Sequence, residues 1–129
     1  MTVTANDLVA AAHRDIHQVS AVELSGLARG QYVLIDVREP EEYAAGHLPG
    51  AVNLPRGVLE FRIEAHPALA CKTSPELADR GRPLVLYCLT GGRSALAAES
   101  LQRLGFTRVR SLSGGVTAWR QAGYPLTRE

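Results

Sequence analysis

Leu84-Val85-Leu86-Tyr87-Cys88-Leu89-Thr90-Gly91-Gly92-Arg93-Ser94 is the stretch on which the fold turns. Its first four residues form an unbroken apolar run, the pattern of a strand covered on both faces, and Cys88 stands directly at its carboxyl end. Two glycines follow. From Ser94 to Leu104 the chain is rich in alanine and leucine, with Ala97, Leu101 and Leu104 at helical spacing and Gly105 beyond them as a stop.

The same alternation continues outward in both directions. Upstream, Tyr32-Val33-Leu34-Ile35 is a second continuous apolar run, and Asp36-Val37-Arg38 puts charge at its carboxyl end. Ile16 to Val19 reads as a short strand; Ser20 can cap the next helix with Glu23 reaching back to it, and Gly30 ends that helix. Residues 1–15 are expected to form a helical extension. Glu39-Pro40-Glu41-Glu42-Tyr43 suits the acidic first turn of a short helix, and Gly46-His47-Leu48-Pro49-Gly50 is a turn leading into a strand at Ala51-Val52-Asn53. Val58, Leu59, Phe61 and Ile63 are expected to line one helix before Pro67, and Ser74-Pro75-Glu76-Leu77 resembles a capped helical start. Downstream, Arg108 to Leu112 gives a last strand and Val116 to Ala122 a last helix.

Strands alternating with helices predict an α/β fold, a mostly parallel central sheet of about five strands with helices on both faces. Sites on such sheets lie beyond the carboxyl ends of the strands, and Asp36 and Cys88 both fall there. The 129 residues, 46% of them hydrophobic, suit a single domain spanning residues 1–129. Fourteen basic against thirteen acidic side chains leave a formal charge of +1, so no general attraction to nucleic acid or membrane is expected. The apolar stretches fall short of the ~20 residues that span a bilayer. The amino-terminal residues lack the basic and apolar segments of a secretory signal, and the chain is expected to stay in the cytoplasm.

There are two cysteines, Cys71 and Cys88, and in a reducing compartment a structural disulfide between them is not the expected use. Two thiols cannot build a four-ligand zinc site, and the four histidines are scattered, so no metal is expected. A cysteine between a buried strand and a helix start is exposed to the positive end of that helix and to unpaired amides, both of which favour the thiolate. Gly91 and Gly92 can take positive φ and turn successive amides inward around the sulfur. Arg93 can meet an anionic donor such as thiosulfate, or pair with Glu42 or Asp36 and brace the loop. The bland alternative for Cys88 is a small hydrophobe ending a core strand, which the glycines, the arginine and the following helix argue against. Cys71 has no such setting and reads as structural, with a resolving-thiol role as the alternative.

Asp36-Val37-Arg38-Glu39 with Glu42-Tyr43, Gly46-His47-Leu48-Pro49-Gly50-Ala51, the loop from Cys88 to Ser94, and Gly114-Gly115 before Trp119 together resemble a single-domain rhodanese. The resemblance covers about residues 16 to 124. It implies a rhodanese-like fold and a two-step transfer in which Cys88 takes a sulfane sulfur as a persulfide and hands it to an acceptor, with no cofactor. The backbone amides of Leu89, Thr90, Gly91, Gly92, Arg93 and Ser94 would then cradle the persulfide. Asp36 would help hold the loop, and Arg38 and His47 would organise the rim through hydrogen bonds, although for His47 the turn-anchor reading is preferred, since a histidine in a Gly-His-x-Pro-Gly turn is readily explained that way. Arg62 is a further candidate anion contact.

Partners implied by the resemblance are a small sulfur donor, thiosulfate or glutathione persulfide, and a thiol or cyanide acceptor. A relay module passing its persulfide to a partner protein is the second reading. Related folds host phosphatases and arsenate reductases, but phosphatase loops place five residues between cysteine and arginine, whereas Cys88 and Arg93 have four between them. Arg93 is the loop's one basic residue, so a strong preference for thiosulfate does not follow, and glutathione persulfide stands as the alternative donor.

Overall fold

The computed structural model describes residues 2–28, 30–69 and 79–129. Cys71 and the helical start expected at Ser74 lie outside the described residues. The chain forms a five-stranded sheet in the order β1-β5-β4-β2-β3, with every pairing parallel. Its strands are β1 (His17–Val19), β2 (Val33–Asp36), β3 (Val52–Asn53), β4 (Leu84–Tyr87) and β5 (Val109–Leu112), and its helices are α1 (Ala5–Asp15), α2 (Ala21–Ser25), α3 (Pro40–Ala45), α4 (Leu59–Ile63), α5 (Gly92–Arg103) and α6 (Gly115–Gln121). The α/β class and the parallel sheet are as the alternation of apolar runs and helical patterns predicts. Among the described residues no helix is long and apolar enough to cross a membrane.

The two strands read as apolar throughout are those buried on both faces. Val33, Ile35, Leu84, Leu86, Cys88 and Val109 join a core with residues of α1, α4 and α5. Leu34, Val85, Tyr87 and Leu112 face the other way, into a core with Leu24, Val116 and Trp119. Successive residues of one strand thus feed opposite layers, which is why neither run alternates with polar residues.

Packing moves several element ends. The helix capped by Ser20 stops at Gly26 instead of Gly30, because Leu24 and Leu27 both turn into the second core and the chain must double back toward β2. Gly30 has φ +88° and serves the turn before β2. Tyr32 precedes β2 and Ala51 precedes β3, while Ile16 ends α1 as its cap rather than opening β1. Phe61 does not line α4's buried face: Leu59 and Ile63 are an i, i+4 pair facing the core, and Phe61, half a turn away, is 82% exposed.

The amino-terminal helix is part of the packed structure. Thr4 and Asp7 form a capping box, Ala12 and Ile16 are buried in the core shared with α5, and Val9 packs against that core. An added Cβ on Gly92 would meet Val9 at 3.6 Å, so α1 reaches the head of α5 beside the Cys88 loop.

Candidate active site

Cys88 leaves β4 buried, 1% exposed, and its Sγ accepts a hydrogen bond from the Gly91 amide at 3.1 Å. Gly91 has φ +108°, a conformation that turns its N–H back toward the sulfur and that side-chain-bearing residues rarely adopt. Gly92 does not share this geometry: it is the first residue of α5, so helix formation starts two residues ahead of Ser94. The sulfur therefore lies against an amide at the positive end of a twelve-residue helix.

Behind the loop, the carbonyl oxygens of Cys88 and Leu89 accept hydrogen bonds from Val116 and Thr117 at 2.9 and 3.0 Å. These donors belong to the first turn of α6, which fixes the loop from the opposite side to α5. The approach is close enough that a Cβ on Gly115, at φ +57°, would overlap the Cys88 carbonyl and come within 2.6 Å of the Leu89 oxygen. Two consecutive glycines before a helix are the sequence signal for such a contact, visible in Gly114-Gly115 but interpretable only once the partner carbonyls are known.

Arg93 makes the ion pair a brace requires and also lies near Cys88. Its guanidinium makes two hydrogen bonds to the Glu42 carboxylate, at 2.8 and 3.0 Å, joining α5 to α3. That pairing first, and Cys88 nearby as a smaller contribution, push Arg93 above its ordinary value. Glu42 is correspondingly held at about 2, mainly by the Arg93 hydrogen bonds.

Ser94, expected to offer its amide to the site, stands in the first turn of α5. Its side chain is fully buried, with Oγ donating to the Gly91 carbonyl at 3.2 Å and sharing a 2.8 Å hydrogen bond with Ser111 Oγ. The hydroxyl thus braces the loop from beneath. Ser111, a polar residue at a buried position of β5, was legible only as a break in an apolar pattern. Leu89 and Thr90 are exposed at the rim.

Asp36 and Arg38 lie under the neighbouring strand ends. Asp36 is fully buried and accepts from the Arg38 amide at 2.9 Å and from its guanidinium at 2.8 to 3.2 Å, while Arg38 Nη2 also donates to the Gly46 carbonyl at 2.7 Å. Tyr87 stands beside them; burial first, then Asp36, raises its phenol well above the ordinary range, and the Leu48 amide donates to its oxygen at 3.0 Å. His47 is buried as the anchor of its turn, stacked on Tyr43 with ring centroids 3.7 Å apart and its ring nitrogens 2.9 Å from the carbonyl oxygens of Tyr43 and Glu129. Nothing local in the sequence signals the Glu129 partner. Arg62 stands exposed on α4, whose tie to α5 runs through Glu60 and Ser100, and among the described residues no hydrogen bond or ion pair joins Arg62 to the loop.

A Rhodanese-like domain model matches residues 20–122. The chain is 40% identical over 106 residues to a thiosulfate:glutathione sulfurtransferase from Homo sapiens, covering 78% of this chain and 90% of the relative. It is 34% identical over 94 residues to a sulfurtransferase from Allochromatium vinosum, covering 73% and 77%. Among solved structures, a protein from Rhodopseudomonas palustris described as of unknown function and a possible tyrosine phosphatase superposes with a TM-score of 0.77 at 30% identity, covering 98% of this chain and 96% of that one.

Proposed function

The chain belongs to the rhodanese-like domain family, and on that premise we propose that it is a sulfurtransferase working through a Cys88 persulfide. The Cys88 thiolate attacks the outer sulfur of a donor such as thiosulfate or glutathione persulfide; the new Sγ–S bond forms as the donor's S–S bond breaks and sulfite or thiolate departs. An acceptor thiol or cyanide then attacks the terminal sulfur, and Cys88 leaves as thiolate. Electrons balance over the two steps, and no cofactor takes part.

The observation that carries this reading is the Gly91 amide aimed at Cys88 Sγ at 3.1 Å, a donor placed where negative charge sits before attack and returns after transfer. The names of the sulfurtransferase relatives support the same chemistry. A phosphatase reading fits less well: the loop has four residues rather than five between Cys88 and Arg93, and that arginine is held by Glu42. Incubation with donor should add the mass of one sulfur atom to the protein, and Cys88→Ser should abolish both the addition and turnover. Labelling that survives this substitution, or Cys88-dependent hydrolysis of an aryl phosphate in place of sulfur transfer, defeats the proposal.

A further inference from the structure

Beside the loop lies a groove of about 370 Å³ lined by Leu89, Val116, Thr117, Arg120 and Gln121. Its position relative to the nucleophile is fixed by backbone contacts. Leu89 follows Cys88 directly, with consecutive Cα atoms about 3.8 Å apart, and its carbonyl is bonded to the Thr117 amide at 3.0 Å. Thr117, Arg120 and Gln121 are spaced i, i+3, i+4 and so present one face of α6. Arg120 stands one turn, about 5 Å, further along the helix from Thr117.

Two properties of this groove are left unexplained by the fold. Leu89 is 45% exposed, an apolar side chain held at the rim beside the reactive cysteine. Arg120 is exposed, and among the described residues its side chain makes no ion pair or hydrogen bond. The contrast with Arg93 is informative: the loop's own arginine is taken up by Glu42, whereas Arg120 stands without a partner, among the described residues, in the groove beside Leu89.

A ligand that matches this layout carries its reacting sulfur and its negative charge several bonds apart. Thiosulfate, which holds both in one small group, cannot set them that far apart. A cysteinyl peptide thiol can, with its methylene and amide skeleton against Leu89 and Val116 and a carboxylate on Arg120. We propose that this groove is the docking subsite for the carboxylate-bearing arm of a glutathione-like peptide thiol, so that Arg120 sets specificity for the thiol that delivers or collects the sulfane sulfur. The inference rests on the Cys88 transfer reading. With the persulfide as donor, the Cys88 thiolate attacks its outer sulfur, the peptide's S–S bond breaks, and the peptide thiolate leaves and takes a proton from water; the exchange is redox-neutral.

Steady-state transfer with two donors tests it: glutathione persulfide, and the uncharged-skeleton persulfide of 2-mercaptoethanol. Arg120→Ala should raise KM for glutathione persulfide about fivefold, with Arg120→Glu raising it further and Arg120→Lys close to the parent. Turnover at saturation should stay within about twofold, and KM for the uncharged donor should not move. An unchanged glutathione KM in Arg120→Ala overturns the subsite, as does an equal loss with both donors. If the parent protein transfers sulfur from neither persulfide nor thiosulfate, the Cys88 reading itself falls; if it transfers from thiosulfate alone, or from both persulfides while Arg120→Ala is silent, only the subsite falls.

Discussion

Arg93 and Glu42 are joined by two hydrogen bonds, at 2.8 and 3.0 Å, and the same Glu42 carboxylate accepts the Glu39 amide at 3.1 Å, so one carboxylate ties the helix after the Cys88 loop to the start of α3. The Glu42 carboxyl sits at about 2, below its ordinary 4.5. A carboxylate lowered in the folded state stabilises it fully above the unfolded value and loses that contribution as pH falls toward the folded value. Both partners are a third or more exposed, so after solvent screening the pair is worth only about 1 kcal/mol. Glu42→Gln should therefore lower stability by about 1 kcal/mol at pH 7, and denaturation curves of parent and variant should converge as pH falls from 4.5 toward 2. Arg93→Ala should cost about the same, and the double variant little more, since each single change already removes the shared pair.

Gly115 is where the loop meets α6 most closely. Gly115→Ala places a methyl group on the Cys88 and Leu89 carbonyls and forces the residue into an unfavourable φ of +57°. The loop must shift, and a displacement of about 1 Å at the nucleophile can cost about 100-fold in rate. Stability should fall by about 2 kcal/mol or more. Gly123→Ala is the control, since that glycine has φ +88° with nothing within 4 Å of an added Cβ. It should lose some stability while sulfur transfer is retained.

These loop contacts also mark the boundary of what the sequence discloses. β2 and β4 are legible because burial on both faces leaves each an uninterrupted apolar run, and Cys88 is legible because glycines and a helix follow such a run. β3 has two residues, and its pairing partner is β2, so its ends answer to the sheet more than to its own composition. Arg93 offered two roles by residue type alone; the choice depends on α3 delivering Glu42 from 51 positions away. Ser94 is expected to offer a backbone amide to the loop, whereas the bracing role of its hydroxyl depends on the buried Ser111, 17 positions downstream. Local pattern singles out Cys88 as the candidate nucleophile, whereas the loop's bracing is decided by tertiary partners.

Asp36→Asn tests the second layer of support. Arg38 is 5% exposed, and Asp36 is its buried carboxylate partner, so neutralising Asp36 leaves a buried guanidinium without a countercharge. Removing one member of a buried pair costs about 3 to 5 kcal/mol, which for a domain of this size corresponds to a fall in Tm of roughly 10 °C or more. Thermal unfolding measures this directly. A change of only a degree or two would mean that the Gly46 carbonyl alone suffices for Arg38.

Ser94→Ala separates bracing from substrate contact at the loop's last residue. The hydroxyl is fully buried and hydrogen-bonded to Ser111 and to the Gly91 carbonyl, so removing it leaves the Ser111 hydroxyl short of its buried partner. The expected loss is about 1 kcal/mol of stability. Since Ser94 Oγ is buried and already engaged by the Gly91 carbonyl and Ser111, KM for thiosulfate and for glutathione persulfide should each stay within about twofold, with any fall in turnover tracking the loosened Gly91 amide. The double change with Ser111→Ala, which removes both hydroxyls together, should restore part of the lost stability because no orphaned group remains. A KM that rises tenfold in Ser94→Ala would instead place the hydroxyl on the substrate.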